Sequence, residues 1–356
     1  MKTIVKNKID YTDPCNYIYL FHRKDMKDYF NCGKPLYKKI CDLYMLDYYS
    51  CVINSSCGRI TTFPIYPNMT HFKGENNQLT SFPIQPMMTH FIGNNNHLTS
   101  FEVQPKMIHC RVNHNHLTSF PSQPKMTHFY GHDNKLTSFS EQPEMDYFKG
   151  TSNKLMTFPV QPKMTHFDGD NNQLTSFPVQ PKMERFRCCD NKLTSFEVQP
   201  EMTYFNCGYN NLTSFPAQPM MTHFIGNNNQ LTSFPVQPEM THFYGNHNQL
   251  LSFQIQPKMV WFHGVHNRLN SFPRQPAMVH FYGQNNQLTS FEVQPKMDNF
   301  YGNNNHLTSF PVQPEMSYFN GAGNHFKSFS VQPKMENFYG DDNLTKMIKN
   351  NQKSKK

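Results

Sequence analysis

A nineteen-residue phrase recurs from Ile60 almost to the C-terminal end, and it constrains this 356-residue chain more than any other feature. A clean copy, over 231–249, reads LTSFPVQPEMTHFYGNHNQ. The Leu that opens the phrase, or its replacement, returns at strict nineteen-residue steps in fifteen copies, from Ile60 to Phe326. Self-similarity at a fixed short period is the signature of a repeat architecture, so it decides the fold class.

The positions that do not vary between copies define the core of the repeat. Met, from Met69 to Met335, and the Phe after LTS, from Phe63 to Phe329, occur in all fifteen copies. The Phe three residues after Met occurs in fourteen copies, with Cys110 as the exception. Nineteen residues, two of them usually Pro, have room for one short strand, a turn and an extended return. One such unit cannot bury its apolar face alone, so the sequence predicts a solenoid of stacked copies.

The consensus of the copies is Met-x-x-Phe-x-Gly-x-x-Asn-x-Leu-x-x-Phe-Pro, and it resembles the leucine-rich repeat pattern L-x-x-L-x-L-x-x-N-x-L-x-x-L-P. Met and Phe stand at Leu positions. The most similar subtype is the short repeat of bacterial effector proteins, and the Asn-rich, Phe-rich composition also resembles leucine-rich repeat proteins predicted in giant viruses of amoebae. The resemblance covers about 58–343. It implies a parallel β-sheet on a concave face and an extended, polyproline-like convex side.

Two columns of the repeat carry specific structural expectations. The sixth position of the pattern is Gly in twelve copies and Val112, Cys188 or Cys207 in the others. We expect an inward-facing slot that is too tight for Leu because neighbouring Phe rings occupy the space. An Asn stands two residues before the Leu position, from Asn77 to Asn324. Its amide is expected to pair backbone groups of adjacent coils that would otherwise be buried without partners.

The segments that flank the repeats have a different composition. Residues 1–57 are expected to form a small helical N-terminal cap, with Thr12 as a helix N-cap and a second helix over 35–46. An alternative for this segment is a recruiting module that makes the protein a ubiquitin-ligase adaptor. Residues 344–356 contain five Lys and no acidic residue, and they are expected to be a solvated, disordered tail. Met347 and Ile348 are candidates to pack over the last coil.

The formal charge of +8 belongs to the two ends of the chain. Residues 1–57 carry +3 and residues 344–356 carry +5, so the nineteen cationic and nineteen acidic residues of the repeats cancel. A neutral solenoid disfavours a nucleic-acid-binding face. The first ten residues have no secretory apolar core, and the nine cysteines form no C-x-x-C pair. These features favour free thiols and an intracellular protein, in the host cytoplasm if it is viral.

The candidate binding face consists of the two columns that flank the strand Phe. The second of these columns varies most between copies, and exposed Tyr, Trp and Arg dominate interface hot spots. Variable side chains on an invariant scaffold predict a protein-binding module. The alternative is a structural protein without a specific ligand, in which duplication simply copied His and Tyr. The candidate residues are His223, His242, Tyr244, Trp261, His263, His280, Tyr282, Tyr301, Tyr318 and Tyr339.

Enzymatic motifs are absent from the sequence. It has no H-E-x-x-H, no Gly-rich phosphate loop and no G-x-S-x-G. Side chains within one column point the same way, which is unsuited to enclosing a tetrahedral ion. We therefore expect no enzyme, no cofactor, no metal and no membrane association, but a monomer that binds a protein partner. Neighbouring His in the first column, such as His71 and His90, would repel one another once protonated, which predicts a pH response.

Overall fold

The computed structural model describes residues 51–54, 56 and 59–353. The predicted N-cap at Thr12 and the helix expected over 35–46 lie outside the described residues. The chain divides into two compact units, Met1–Leu155 and Met156–Lys356. Both units are built from the same coil, which has one very short strand, a turn and a return without helix or strand. This is the solenoid that the nineteen-residue period predicts.

Each strand pairs in parallel with the next one along the chain, in both units. The described part of the first unit contains β1 (Cys51–Asn54), β2 (Met69–Lys73), β3 (His90–Ile92), β4 (His109–Arg111), β5 (His128–Tyr130) and β6 (Tyr147–Lys149). Strand β1 lies inside the segment predicted to be a cap, so the sheet begins before the first full repeat.

The second unit continues the pattern with strands of three residues and ends in a helix. The register joins equivalent positions of successive copies, as in the pairing of Phe224 with Phe243. The elements are β7 (His166–Asp168), β8 (Arg185–Arg187), β9 (Tyr204–Asn206), β10 (His223–Ile225), β11 (His242–Tyr244), β12 (Trp261–His263), β13 (His280–Tyr282), β14 (Asn299–Tyr301), β15 (Tyr318–Asn320), β16 (Asn337–Tyr339) and α1 (Asp342–Lys353).

The invariant columns form the core, as the sequence predicts. In the coil that begins at Leu231, the side chains of Leu231, Phe234, Met240 and Phe243 are all buried. The two Phe columns interlock: the ring centroids of Phe234 and Phe243 are 4.8 Å apart with an interplanar angle of 66°. Each buried large side chain contributes about 1.5–3 kcal/mol before its entropy cost is deducted. Edge-to-face rings add to this because the positive edge of one meets the negative face of the other.

The prediction of a tight slot at the Gly position is confirmed. A Cβ placed on Gly245 would lie 2.3 Å from the ring of Phe243, two residues earlier, and Gly93 has the same relation to Phe91 at 2.5 Å. Non-bonded carbon atoms do not approach that closely, so any larger residue must displace the ring. Val112 occupies this slot in the one coil in which Cys110 replaces the strand Phe.

The prediction for the Asn column is also confirmed. Asn96 is representative: its Nδ2 donates to the carbonyl oxygens of Gly93 at 3.1 Å and Gly74 at 2.8 Å, and its Oδ1 accepts from the backbone N–H of Leu79 at 3.0 Å. The amide therefore pairs three backbone groups of two successive coils. Because all of them are buried, leaving any one unpaired would cost about 1–3 kcal/mol.

A second amide column, which the sequence analysis does not anticipate, runs along the return segment. Gln occupies this position in fourteen of fifteen copies, between the two Pro positions, and is buried. Gln237 is representative: its Oε1 accepts from the N–H of Gln218 at 2.7 Å and its Nε2 donates to the carbonyl oxygen of Pro216 at 3.1 Å. These bonds replace the sheet ladder on the side of the coil that has no strand.

The turn after the strand places one residue of every coil from Asn76 to Gly323 in the left-handed region. The non-Gly residues here have φ between 52° and 56°. Asn, Asp and His are the non-Gly residues that tolerate this region best, which explains why eleven of the thirteen are of these types. Tyr209 and Ser152 are the other two.

The expectation of a disordered tail from residue 344 is wrong for 344–353, which lie in helix α1. The reason is an N-cap: the carboxylate of Asp341 accepts from the N–H of Leu344 at 2.9 Å, and its carbonyl accepts from Thr345. Leu344 is buried against the last coil, while Met347 and Ile348 are half-buried. The helix therefore covers apolar surface that the final repeat would otherwise expose.

Candidate functional site

The two columns that flank the strand Phe face away from the core. In most strands the central residue is buried and both neighbours are half-buried, because successive side chains of a strand point to opposite faces. The ten candidate residues lie on β10–β16, where parallel pairing brings equivalent positions side by side. We refer to these ten residues as the aromatic surface: His223, His242, Tyr244, Trp261, His263, His280, Tyr282, Tyr301, Tyr318 and Tyr339.

Within the first column, His and Trp rings stack from strand to strand. The ring centroids of His223 and His242 are 4.4 Å apart, and those of Trp261 and His280 are 3.8 Å apart. Trp261 also lies 6.2 Å from His242, which joins the four rings into one row. The strand spacing of about 4.8 Å is close to ring-stacking distance, so parallel pairing favours these contacts.

The rings of the second column form a row beside the first, and this row extends to the C-terminal strands. Tyr244, His263, Tyr282 and Tyr301 form consecutive contacts with centroid separations of 4.8, 4.1 and 4.6 Å. Further contacts link Tyr301 to Tyr318 at 4.6 Å, Tyr318 to Tyr339 at 5.5 Å, and Trp261 to His263 at 6.3 Å. The structure therefore brings all ten candidate residues into one connected set of rings.

The aromatic surface contains no Lys, Arg, Asp or Glu side chain. Burial, with the charge of His280 beside it as a second cause, lowers the pKa of His263 to about 4. Burial also lowers the pKa of His223, and the charge of Arg185 acts in the same direction. Burial lowers the pKa of His242 as well, with the charge of His223 as the second cause. Burial raises the pKa of Tyr318 to about 12, with the hydrogen bond to Tyr301 as a further cause. Neither column contains Lys, Arg, Asp or Glu between His223 and Tyr339.

Local hydrogen bonds hold several of these rings in place. The Thr before each of two His contacts the ring: Thr222 Oγ1 lies 2.9 Å from His223 Nδ1, and Thr241 Oγ1 lies 2.9 Å from His242 Nδ1. Asn299 Nδ2 donates to His280 Nδ1 at 2.8 Å. Rings that are fixed before binding lose less conformational entropy when a partner docks.

The same columns in the first unit have a different character. His71, His90, His109 and His128 stack in a row with centroid separations of 4.3, 4.8 and 4.5 Å. The second column there includes cations, and Arg111 lies over the ring of Tyr130 at 4.8 Å. The outward face of the first unit is thus polar and partly cationic.

Donor atoms able to hold a metal converge outside the aromatic surface. Among the described residues, one group of His, Cys, Asp or Glu brings at least three such atoms together: His114, His132 and Asp133, on two turns of the first unit. No helix in the described part of the chain is long and apolar enough to cross a membrane.

Comparison with known proteins identifies the fold. No known family profile matches the sequence, and no curated protein matches it in sequence. Among solved structures, the chain is similar to YopM, a leucine-rich effector protein of Yersinia pestis, with 17% identity, TM-score 0.62 and coverage of 90% of this chain and 98% of that one. It is also similar to the functional domain of InlJ from Listeria monocytogenes, with 18% identity, TM-score 0.62 and coverage of 81% and 67%.

A third similar structure is the leucine-rich repeat domain of APL1B, with 13% identity, TM-score 0.58 and coverage of 86% of this chain and 99% of that one. At these identities the likeness concerns the fold alone. The fold is therefore that of leucine-rich repeat proteins, as the repeat consensus predicts. Solenoids of this class typically serve as binding scaffolds rather than enzymes.

Proposed function

We propose that the protein is a non-enzymatic binding module that recognises a protein partner through the aromatic surface. The observation that carries this proposal is the single connected set of ten half-exposed rings on β10–β16. Cross-strand ring contacts contribute only about 0.2–1 kcal/mol each to a sheet, so a stable solenoid does not require large aromatic side chains on the solvent side of its strands. Tyr and Trp supply contact area at low entropy cost because they have only two side-chain torsions.

The dimensions of the aromatic surface fit a protein partner. Seven strands spaced about 4.8 Å apart extend over about 29 Å. A standard protein interface buries about 800 Å² per partner, which corresponds to a patch roughly 28 Å across. The surface is a row of stacked rings rather than a pocket that encloses a ligand, which disfavours a small metabolite.

The chemistry of the surface predicts the character of the interaction. With no Lys, Arg, Asp or Glu in the aromatic surface, association gains little from long-range electrostatic steering. Binding should therefore depend weakly on salt, in contrast to the steep salt dependence of a nucleic-acid interface. The partner should present an apolar or aromatic patch with hydrogen-bond groups for the Tyr hydroxyls and imidazole nitrogens.

The test compares three baits in affinity capture followed by mass spectrometry and measurement of Kd with the purified partner. The baits are the wild type, a triple variant Trp261→Ala/Tyr282→Ala/Tyr301→Ala, and a matched control His109→Ala/Tyr130→Ala/Tyr147→Ala. The control removes rings from the same two columns in the first unit. We expect the first triple variant to weaken binding at least 100-fold, because Trp and Tyr at the centre of an interface are hot spots.

The outcomes separate the proposal from its alternatives. A partner lost with the Trp261 triple variant and retained with the control supports recognition by the aromatic surface. Equal capture by all three baits contradicts it and favours a structural role. A ubiquitin-ligase component that requires residues 1–57 would instead favour the adaptor function, whose segment lies mostly outside the described residues. An intracellular setting, and a host protein as partner of a viral factor, are part of the proposal and rest on the sequence alone.

A further inference from the structure

We propose that His114, His132 and Asp133 form a binding site for a divalent first-row transition ion, with Zn²⁺ as the best-matched species. His114 lies on the turn after β4, and the other two lie on the turn after β5. Asp133 Oδ2 is 3.3 Å from His114 Nδ1 and 2.8 Å from His132 Nδ1. The three candidate donor atoms all lie within 4.8 Å of one another.

The orientation of the two imidazoles sets this cluster apart from the other His pairs. The rings of His114 and His132 are 4.5 Å apart and inclined at 85°. All other contacting His pairs of the described residues stack with interplanar angles of 29° or less. The pair His247–His266 also lies on equivalent turns, at 4.5 Å and 16°, but it occupies the positions of His114 and Asp133, with Val265 at the position of His132. The difference at His114 and His132 is that both Nδ1 atoms turn toward one carboxylate.

The backbone that carries the three side chains is fixed by hydrogen bonds between coils. His114 N donates to the carbonyl oxygen of His132 at 2.9 Å, and Asp133 N donates to that of Thr151 at 3.0 Å. The N–H of His132 donates to Asn113 Oδ1 at 3.0 Å. His114 and Asp133 occupy the left-handed turn position, with φ of 53° and 52°. The donor atoms are therefore presented by a rigid framework, as a metal site requires.

The donor set matches a borderline ion. Two imidazole nitrogens and one carboxylate oxygen are ligands that Zn²⁺ accepts, with water as a fourth ligand, at bond lengths of about 2.0–2.2 Å. Tetrahedral geometry at that bond length places donor atoms about 3.3–3.4 Å apart. The His114–Asp133 separation already has this value, and the His132–Asp133 separation must open by about 0.5 Å. Hard ions such as Mg²⁺ and Ca²⁺ prefer sets made entirely of oxygen.

Solvent can reach the site, and protons compete for it. The side chains of His114 and Asp133 are 50% and 46% exposed. An ion can therefore enter without any opening of the fold. Imidazole must be unprotonated to ligate, so binding of the ion releases any proton on the ligating nitrogens. The argument that a strand column cannot enclose an ion does not apply here, because these residues project from two turns toward a common point.

The test uses Asn substitutions that other coils already tolerate. His114 and Asp133 occupy the same position of the turn, and six other coils have Asn there, including Asn228. The position before it, which His132 occupies, is also Asn in other coils, as at Asn227 and Asn246. The variants His114→Asn, His132→Asn and Asp133→Asn therefore remove donors without straining the turn. Full-length protein is titrated with ZnCl₂ by calorimetry, and with CoCl₂ by visible absorption. A matched control, His247→Asn/His266→Asn, removes two His from equivalent turns.

We expect the triple Asn variant to bind one equivalent of Zn²⁺ fewer than the wild type, and each single variant to lose at least tenfold in affinity for that equivalent. The control should retain it. The difference between the Co²⁺ absorption spectra of the wild type and the triple variant should lack thiolate charge-transfer bands. Their absence would show that the lost ion was not bound by cysteines. In wild-type NMR spectra, Zn²⁺ should shift the ring protons of His114 and His132. Unchanged stoichiometry in the triple variant, equal loss in the control, or unshifted ring protons would each overturn the proposal.

Discussion

At Cys110 the strand Phe column is interrupted, and two residues later Val112 stands where Gly is usual. Both side chains are fully buried. In the coils that have Gly here, a Cβ would collide with the Phe ring, as for Gly93 and Phe91. Beside a strand Phe, the position otherwise holds only the small Cys188 and Cys207. The replacements at Cys110 and Val112 therefore compensate for each other. The small thiol of Cys110 leaves space that the Val112 side chain fills. Close packing makes residues at i and i+2 on the inward face interdependent.

Restoring only one member of this pair should be harmful. Cys110→Phe alone drives the new ring against Val112 and should destabilise the protein by about 1–3 kcal/mol. Cys110→Phe/Val112→Gly recreates the usual coil and should recover most of that loss. Urea unfolding of the wild type, both single variants and the double variant measures the coupling. Additive effects of the two substitutions would contradict the explanation.

The stacked imidazoles predict a pH dependence of stability. Burial, together with the charges of His71 and His109, lowers the pKa of His90 to about 4. An unfolded His titrates near 6.5, so between pH 6.5 and 4 the unfolded chain binds protons that the folded chain excludes. Stability is therefore greatest above pH 6.5 and falls as the pH decreases toward 4.

Melting temperatures between pH 4 and 8 should show this loss. A variant with His71→Asn, His90→Asn and His109→Asn should show a smaller fall over the same range, since Asn occupies this column at Asn299 and Asn337. Identical pH profiles for the two proteins would refute the imidazole explanation.

At the scale of the element, the side-chain amides of the Asn and Gln columns join successive coils as much as the strand hydrogen bonds do. A strand of three residues forms few backbone hydrogen bonds, and the return segment forms no strand at all. The Asn and Gln columns pair the remaining buried backbone groups, as Asn248 Oδ1 does for the N–H of Leu231 at 3.0 Å. This explains why two polar residue types are nearly invariant inside an apolar core.

Gln237→Leu tests the contribution of the return ladder. The substitution preserves size but leaves the N–H of Gln218 and the carbonyl oxygen of Pro216 without their partners. At about 1–3 kcal/mol for each of the two unpaired buried groups, we expect a loss of roughly 2–6 kcal/mol. The matched control is Gln230→Leu, because the side chain of Gln230 is exposed and donates to the side chain of Asn211. Chemical denaturation should show a shift for the first variant and almost none for the second.

At the scale of the whole molecule, the aromatic core consists of contacts between adjacent coils. Phe234 contacts Phe215 and Phe224 in the preceding coil at 5.9 and 4.6 Å, and Phe253 in the next at 5.9 Å. Solenoids stabilised in this way behave as a sum of coil stabilities and nearest-neighbour terms. A local defect should therefore remain local.

Phe234→Ala should cost about 3–5 kcal/mol, because it removes a fully buried ring from a close-packed row. Hydrogen exchange by mass spectrometry should show lost protection over 212–258, with little change in β14 and β15. Uniform loss of protection throughout the second unit would instead indicate a fully cooperative fold. An unchanged denaturation midpoint would contradict the proposed role of the ring.

The sequence by itself determined the coil. The nineteen-residue period, the columns that enter the core and the Gly slot follow from covalent spacing repeated fifteen times, because a position that recurs in every coil must satisfy the same neighbours. The role of the Asn amide came from the resemblance to leucine-rich repeats, supported by the donor and acceptor groups of the side chain. The Gln column was equally invariant, but a polar residue between prolines carries no periodicity signal that indicates burial. The end of the chain was predicted as disordered because its cap, Asp341, lies outside the Lys-rich segment.

The tertiary structure alone decided which side chains meet. Sequence reasoning placed the ten aromatic-surface residues in two columns, but their connection into one set of rings depends on strand spacing and ring orientation, as between Trp261 and His280. The convergence of His114, His132 and Asp133 is of the same kind. These residues are eighteen or nineteen positions apart or adjacent on a turn, and only the stacking of coils and the rotamers it permits bring their nitrogen and oxygen atoms to one point.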